Sequence, residues 1–186
     1  MVAAIVSPAM IARFRLGALL FVALLLQTTV AADLRIRGVS PDFMILVTIC
    51  AGLAGGADTG AMVCFVAGLL IDLFLHATPF GLSALTYCLV GYGVGVLRRT
   101  VLHEGWFLAP GTALVGSAVG VVLFVLVGVM VGQHQLTAPG PKGIAQIAGI
   151  VGGINAILAV PVARIVSWAG GGLSGHAASS GAAFTP

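Results

Sequence analysis

"FMILVTICAGLAGGADTGAMVCFVAGLLIDLFL", residues 43 to 75, holds 33 residues with only two charges, Asp58 and Asp72. No soluble domain buries a run this long and this apolar, so its reading decides the fold. Asp58 divides it into Phe43–Ala57 and Thr59–Leu75. A membrane-spanning helix needs roughly 20 apolar residues, so both pieces are short for the task. Tilt or local bilayer thinning accommodates such mismatch, and a re-entrant hairpin buried against protein is the alternative. Two spans are the preferred reading.

The remainder of the chain has the same character. Of 186 residues, 60% are hydrophobic and 7% charged, and the mean hydropathy is +1.18, whereas soluble domains carry about 25% charged residues. A polytopic membrane protein follows, with one transmembrane domain over residues 1–168. The last residues, 169–186, are small and polar and are expected to form a flexible cytoplasmic tail. The net charge of +3 comes from eight basic residues scattered along the chain. They form no patch for nucleic acid and act as topology signals. Cys50, Cys64 and Cys88 all sit in apolar segments without metal-ligand spacing, which makes them small packing residues.

Four further spans complete an all-α fold of about six: Leu16–Ala32, Phe80–Leu97, Phe107–Val131 and Ile144–Trp168. The Val-Ala-Ala that ends the first imitates a signal-peptidase site, but an uncleaved first span is expected. An even count puts both termini on one side. Arg13, Arg15, Arg98, Arg99 and Arg164 then share a face, against Arg35, Arg37 and Lys142 on the other. Both termini are therefore expected in the cytoplasm.

Lipid supplies no hydrophobic drive between helices, so close packing must hold the bundle together, and small residues permit it. Among the 27 glycines, Gly52/Gly56, Gly91/Gly95, Gly116/Gly120, Gly128/Gly132 and Gly149/Gly153 are spaced four apart. Each pair lies on one helical face. Gly60, Cys64, Gly68 and Asp72 form a similar stripe that ends in an acid, and Ser83, Tyr87, Gly91 and Gly95 form another on the next helix.

Asp72 is the only charge expected inside a span, where burial costs on the order of 2.5–3.5 kcal/mol on insertion scales. A proton or cation carrier usually has further ionisable groups in other spans, and none stands there. The expectation is a structural acid, hydrogen-bonded to Ser83 or Tyr87, that locks the turn "HATPF" (76–80). On that basis Asp72→Asn should keep most function and Asp72→Leu should not. Asn155 can bridge helices, and Pro161 invites a kink in the last span. No Ser/His/Asp set, HExxH or phosphate-binding loop is present, so neither an enzyme nor a cofactor site is expected.

Residues 41–99 carry Pro41-Asp42, Gly68-Leu69-Leu70 with Asp72-Leu73, and Pro79-Phe80-Gly81-Leu82. They continue with Leu89-Val90-Gly91-Tyr92, Gly95 and Leu97-Arg98-Arg99. This pattern resembles the rod shape-determining protein MreD family. Cys64 stands where the family pattern has Gly, and His76-Ala77 replaces its usual Ser-Gly turn. The resemblance implies a non-enzymatic scaffold of the cell-elongation machinery in the bacterial cytoplasmic membrane. Its implied partners are MreC, the glycosyltransferase RodA, a class B penicillin-binding transpeptidase and the actin-like MreB. The motif residues Pro41, Asp42, Gly68, Asp72, Pro79, Gly81, Ser83, Tyr87, Gly91, Tyr92, Gly95, Arg98 and Arg99 become the structural or interaction candidates. The alternative, a substrate-binding subunit of a vitamin-type transporter, shares the six-helix architecture. It would want convergent polar groups in a pocket and an alanine pair four apart in the first helix, which the core of "LGALLFVALLLQTTVAA" lacks.

Overall fold

The computed structural model describes residues 8–34, 38–74, 79–100 and 107–170. Five α-helices account for nearly all of them: α1 (Pro8–Asp33), α2 (Phe43–Phe74), α3 (Leu82–Thr100), α4 (Leu108–Met130) and α5 (Gly140–Gly170). A single 3-10 turn, His134–Thr137, lies between α4 and α5. The fold is all-α, and α1, α2, α4 and α5 are each long and apolar enough to cross a membrane, with α3 a shorter apolar helix. Arg35, Arg37, His76, Ala77, His103, Trp106 and the tail from residue 171 onward lie outside the described residues, as does the side chain of Arg99.

Large apolar side chains cover the outside, while several polar side chains are buried among the apolar core. Phe14, Phe21, Met62, Val115, Met130 and Ile157 are all exposed, while Thr48, Asp72, Ser83, Thr86, Ser117 and Asn155 are buried. That inversion suits a hydrocarbon surround, in which outward Leu and Phe cost nothing and polar groups must pair internally.

The decisive stretch forms one element in name and two in space. Within α2, Gly56 has φ 79° and ψ −172°, a conformation close to glycine-only. Beyond it the chain doubles back. The Cys64 thiol donates to the Thr48 carbonyl at 3.4 Å, and a Cβ on Gly60 would come within 2.8 Å of the Gly52 Cα. In an unbroken helix, residues 52 and 60 would stand about 12 Å apart at 1.5 Å per residue. The arms 43–55 and 57–74 are thus antiparallel, turning about Gly56.

The arms are unequal. The first is about 20 Å long and the second about 27 Å at helical rise, against a hydrocarbon core of about 30 Å. Met44 to Gly52 of the first arm are buried without interruption. The two arms of α2 stand where two short spans were expected, and the first is a central rod shorter than the hydrocarbon core. Its brevity is tolerated because protein encloses it on every side.

Bundle ends are tied together at one face. The Arg15 guanidinium lies 4.5 Å from the Trp168 ring centroid, so the start of α1 and the end of α5 are neighbours. Arg98, near the end of α3, donates to the Ala54 carbonyl at 2.8 Å, covering a carbonyl at the tip of the α2 hairpin. At the opposite end stand residues 38–42, which lead into α2, and residues 131–139, between α4 and α5.

Candidate functional site

The second arm of α2 and α3 are pressed together along small residues. A Cβ on Gly68 would overlap Ala84 and the Ser83 carbonyl, and one on Gly91 would overlap Cys64. A Cβ on Gly95 would meet Ala57 and Gly56 at 2.5 Å, and one on Gly52 the Gly91 carbonyl at 2.7 Å. The two stripes read from the sequence are thus the contacting faces, in register from Asp72 at one end to Gly95 at the other. Gly116 and Gly120 of α4 make room for Ile49 and Ile45 of the first arm. Gly149 and Gly153 of α5 differ, with nothing within 4 Å.

Asp72 lies at the end of that seam, 3% exposed. Its Oδ2 accepts the backbone N–H of Gly81 at 2.8 Å and of Ala84 at 3.2 Å, and its Oδ1 accepts that of Ser83 at 3.2 Å. The first turn of a helix has N–H groups with no partner inside the helix, and a carboxylate there also meets the positive end of the helix dipole. Asp72 therefore caps α3 from the neighbouring arm. Gly81 can turn its N–H toward it because it adopts φ 97°, and the Pro79 carbonyl holds the turn by accepting Leu82 N–H at 3.2 Å. This corrects the expected bond to the Ser83 or Tyr87 hydroxyl. Backbone donors stand closer to Asp72, and Tyr87 is turned to another acid.

That other acid is Asp42. Its Oδ1 accepts Ile45 N–H at 3.0 Å, starting the first arm of α2, and its Oδ2 accepts the Tyr87 hydroxyl at 2.7 Å. Its carbonyl accepts Asn155 Nδ2 at 3.1 Å, and the same amide nitrogen donates to Ser117 Oγ at 2.8 Å. Gln27 reads the backbone on either side, donating to the Pro41 carbonyl at 3.2 Å and accepting Phe43 N–H at 2.8 Å. Residues 41–43 thus gather a bond from α1, α3 and α5, with α4 joined through Ser117. Asn155 Oδ1 is buried without a hydrogen-bond partner among the described residues.

The motif residues divide accordingly. Pro41, Asp42, Gly68, Asp72, Ser83, Tyr87, Gly91 and Gly95 lie in the α2–α3 seam or at the junction around residues 41–43, with Pro79 and Gly81 shaping the turn beside the seam. Tyr92 is half-exposed on the outer face of α3, and Arg98 lies on the hairpin tip. Gln27 and Ser117 were not singled out in the sequence. Gln27 had a signal, an amide interrupting an apolar run, whereas Ser117 between glycines had none. Among the described residues no group of three or more His, Cys, Asp or Glu could hold a metal ion.

Comparison with curated proteins and with solved structures finds no match. The family model for rod shape-determining protein MreD, however, matches residues 9–140. That range contains the hairpin, the seam with α3, both capping acids and all of α4, so the chain belongs to the MreD family of rod shape-determining proteins.

Proposed function

We propose that this protein is a non-enzymatic scaffold of the machinery that builds peptidoglycan along the cell cylinder. It sits in the bacterial cytoplasmic membrane with both termini inside. Family membership over residues 9–140 carries this reading and ties the chain to rod-shape determination. The geometry supports the finer part. Asp42 and Asp72 are both engaged in capping helices, which suits a rigid body that presents fixed surfaces. The lipid-facing side of α5, where Gly149 and Gly153 are open, offers the close backbone approach that a single membrane helix uses to dock. That face suits the membrane helix of MreC, with RodA and the class B transpeptidase held alongside and MreB on the cytoplasmic side.

Mild-detergent co-purification from the native membrane tests the proposal. Recovery of MreC with RodA or the transpeptidase supports it, as does rounding of rod-shaped cells on depletion. Recovery of a transport ATPase instead, with cell shape unaltered and uptake of a vitamin lost, would replace it with the transporter reading.

A further inference from the structure

Beside the Asp42 junction lies a cavity of about 540 Å³, within the range of about 300–1,000 Å³ that holds small ligands. Its walls are apolar, built largely from Phe124 and Val125 of α4 and Ile144 and Ile147 of α5. Its mouth is marked by Gly38, Gln135 and Pro139, all exposed, from the two connections at one end of the bundle. Its floor is polar, with Gln27, Asp42, Ser83 and Tyr87.

The floor has capacity left over. Ser83 is 3% exposed, its backbone N–H goes to Asp72, and its hydroxyl makes no hydrogen bond to any described residue. A hydroxyl that lines the cavity without a protein partner can donate to or accept from whatever occupies it. Each Asp42 oxygen takes one donor, from Ile45 and Tyr87, and a carboxylate oxygen can accept more than one. Among the described residues no Lys, Arg or His lines the space. Acceptor oxygens without a cation offer a hydrogen-bond donor a partner and an anionic group none.

We propose that this cavity binds a small amphipathic molecule whose head donates hydrogen bonds, as a hydroxyl or ammonium, and carries no anionic group. The head rests on Asp42 and Ser83, and the apolar body lies between α4 and α5. The head could belong to a membrane lipid or to a free small molecule, since both present the same chemistry. The site is independent of which proteins dock on the outer faces.

The full chain, reconstituted in nanodiscs, is titrated with octylamine, octanol and octyl phosphate while its thermal unfolding midpoint is followed. Equal tails make partition into the bilayer a common background. The amine and the alcohol should raise the midpoint saturably and the phosphate should not. Ser83→Ala should weaken the apparent affinity for both about 3- to 10-fold, one neutral hydrogen bond's worth. Val125→Trp, which fills the space, should abolish saturation, and Ile147→Trp does the same should that variant fail to fold. Equal shifts with all three heads, or saturation undiminished in the filled variants, would overturn the proposal. Native mass spectrometry of the protein extracted from cells then separates the sources. A retained lipid mass that disappears in Val125→Trp marks a lipid, and an extracted protein free of lipid that still takes the amine marks a free molecule.

Discussion

Replacing Asp72 tests the seam most directly, and the structure changes the expected outcome. Asparagine has one acceptor oxygen where aspartate has two. In Asp72→Asn, with the amide oxygen in the place of Oδ2, the side chain could keep the bonds from Gly81 and Ala84. Its NH₂ would then face the Ser83 N–H across 3.2 Å, donor against donor. Loss of one bond to a charged acceptor is worth about 1.5–3 kcal/mol. Loss of the charge at the α3 N-terminus adds about 0.3–1 kcal/mol. Leucine forfeits all three bonds and leaves three N–H groups unpaired, those of Ser83 and Ala84 buried, so Asp72→Leu should cost at least twice as much as Asp72→Asn. The expectation that asparagine would be tolerated is therefore revised to an intermediate loss. Thermal unfolding in detergent gives the order, and hydrogen exchange at the amides of 81–84 gives the place, with exchange rising in the asparagine variant and further in the leucine one. A wild-type midpoint for Asp72→Asn, or equal losses for the two variants, would refute the bond-by-bond reasoning.

Three further outcomes follow from the same geometry. Gly56→Ala should lower stability by about 1–3 kcal/mol because its backbone conformation is essentially glycine-only, whereas Gly149→Ala, in open space on a helix, should be neutral or stabilising by up to about 1 kcal/mol; unfolding midpoints of the two variants check the contrast. Tyr87→Phe should cost about 1–3 kcal/mol by removing a donor from half-buried Asp42, and combining it with Asn155→Ala should be non-additive because both side chains bind the same residue; a double-mutant cycle measures the coupling. A reporter that fluoresces only in the cytoplasm, fused to Pro186, should be bright, and a dark fusion expressed at equal level would mean that the last helix ends outside.

Much of this architecture is legible in the sequence because helical periodicity fixes faces. Stripes spaced by four, Gly60-Cys64-Gly68-Asp72 and Ser83-Tyr87-Gly91-Gly95, face each other as their spacing implies. Periodicity says which residues share a side but not which glycines have neighbours. Gly149 and Gly153 are spaced like Gly91 and Gly95, yet the former pair is open and the latter is packed to overlap. Gly56 and Gly132, read as packing glycines, are turns with positive φ. The difference lies in their surroundings, a break beside Asp58 and the end of α4, and a count of spacing does not weigh them.

Depth is the quantity the sequence left open, and it explains why Pro41-Asp42 reads as a simple helix start. Locally it is one, since Asp42 caps Ile45 as an aspartate before a helix should. What a linear reading cannot supply is that the cap lies beside the midpoint of α5, where Asn155 reaches its carbonyl. Because the first arm is short, its N-terminus falls inside the bundle, and unpaired backbone groups there have no water to fall back on. Gln27 answers two of them, and Asn155 and Tyr87 hold Asp42 itself. The polar side chains of α1, α3 and α5 are thus required by the brevity of one helix, and that brevity is set by a single glycine turn at residue 56.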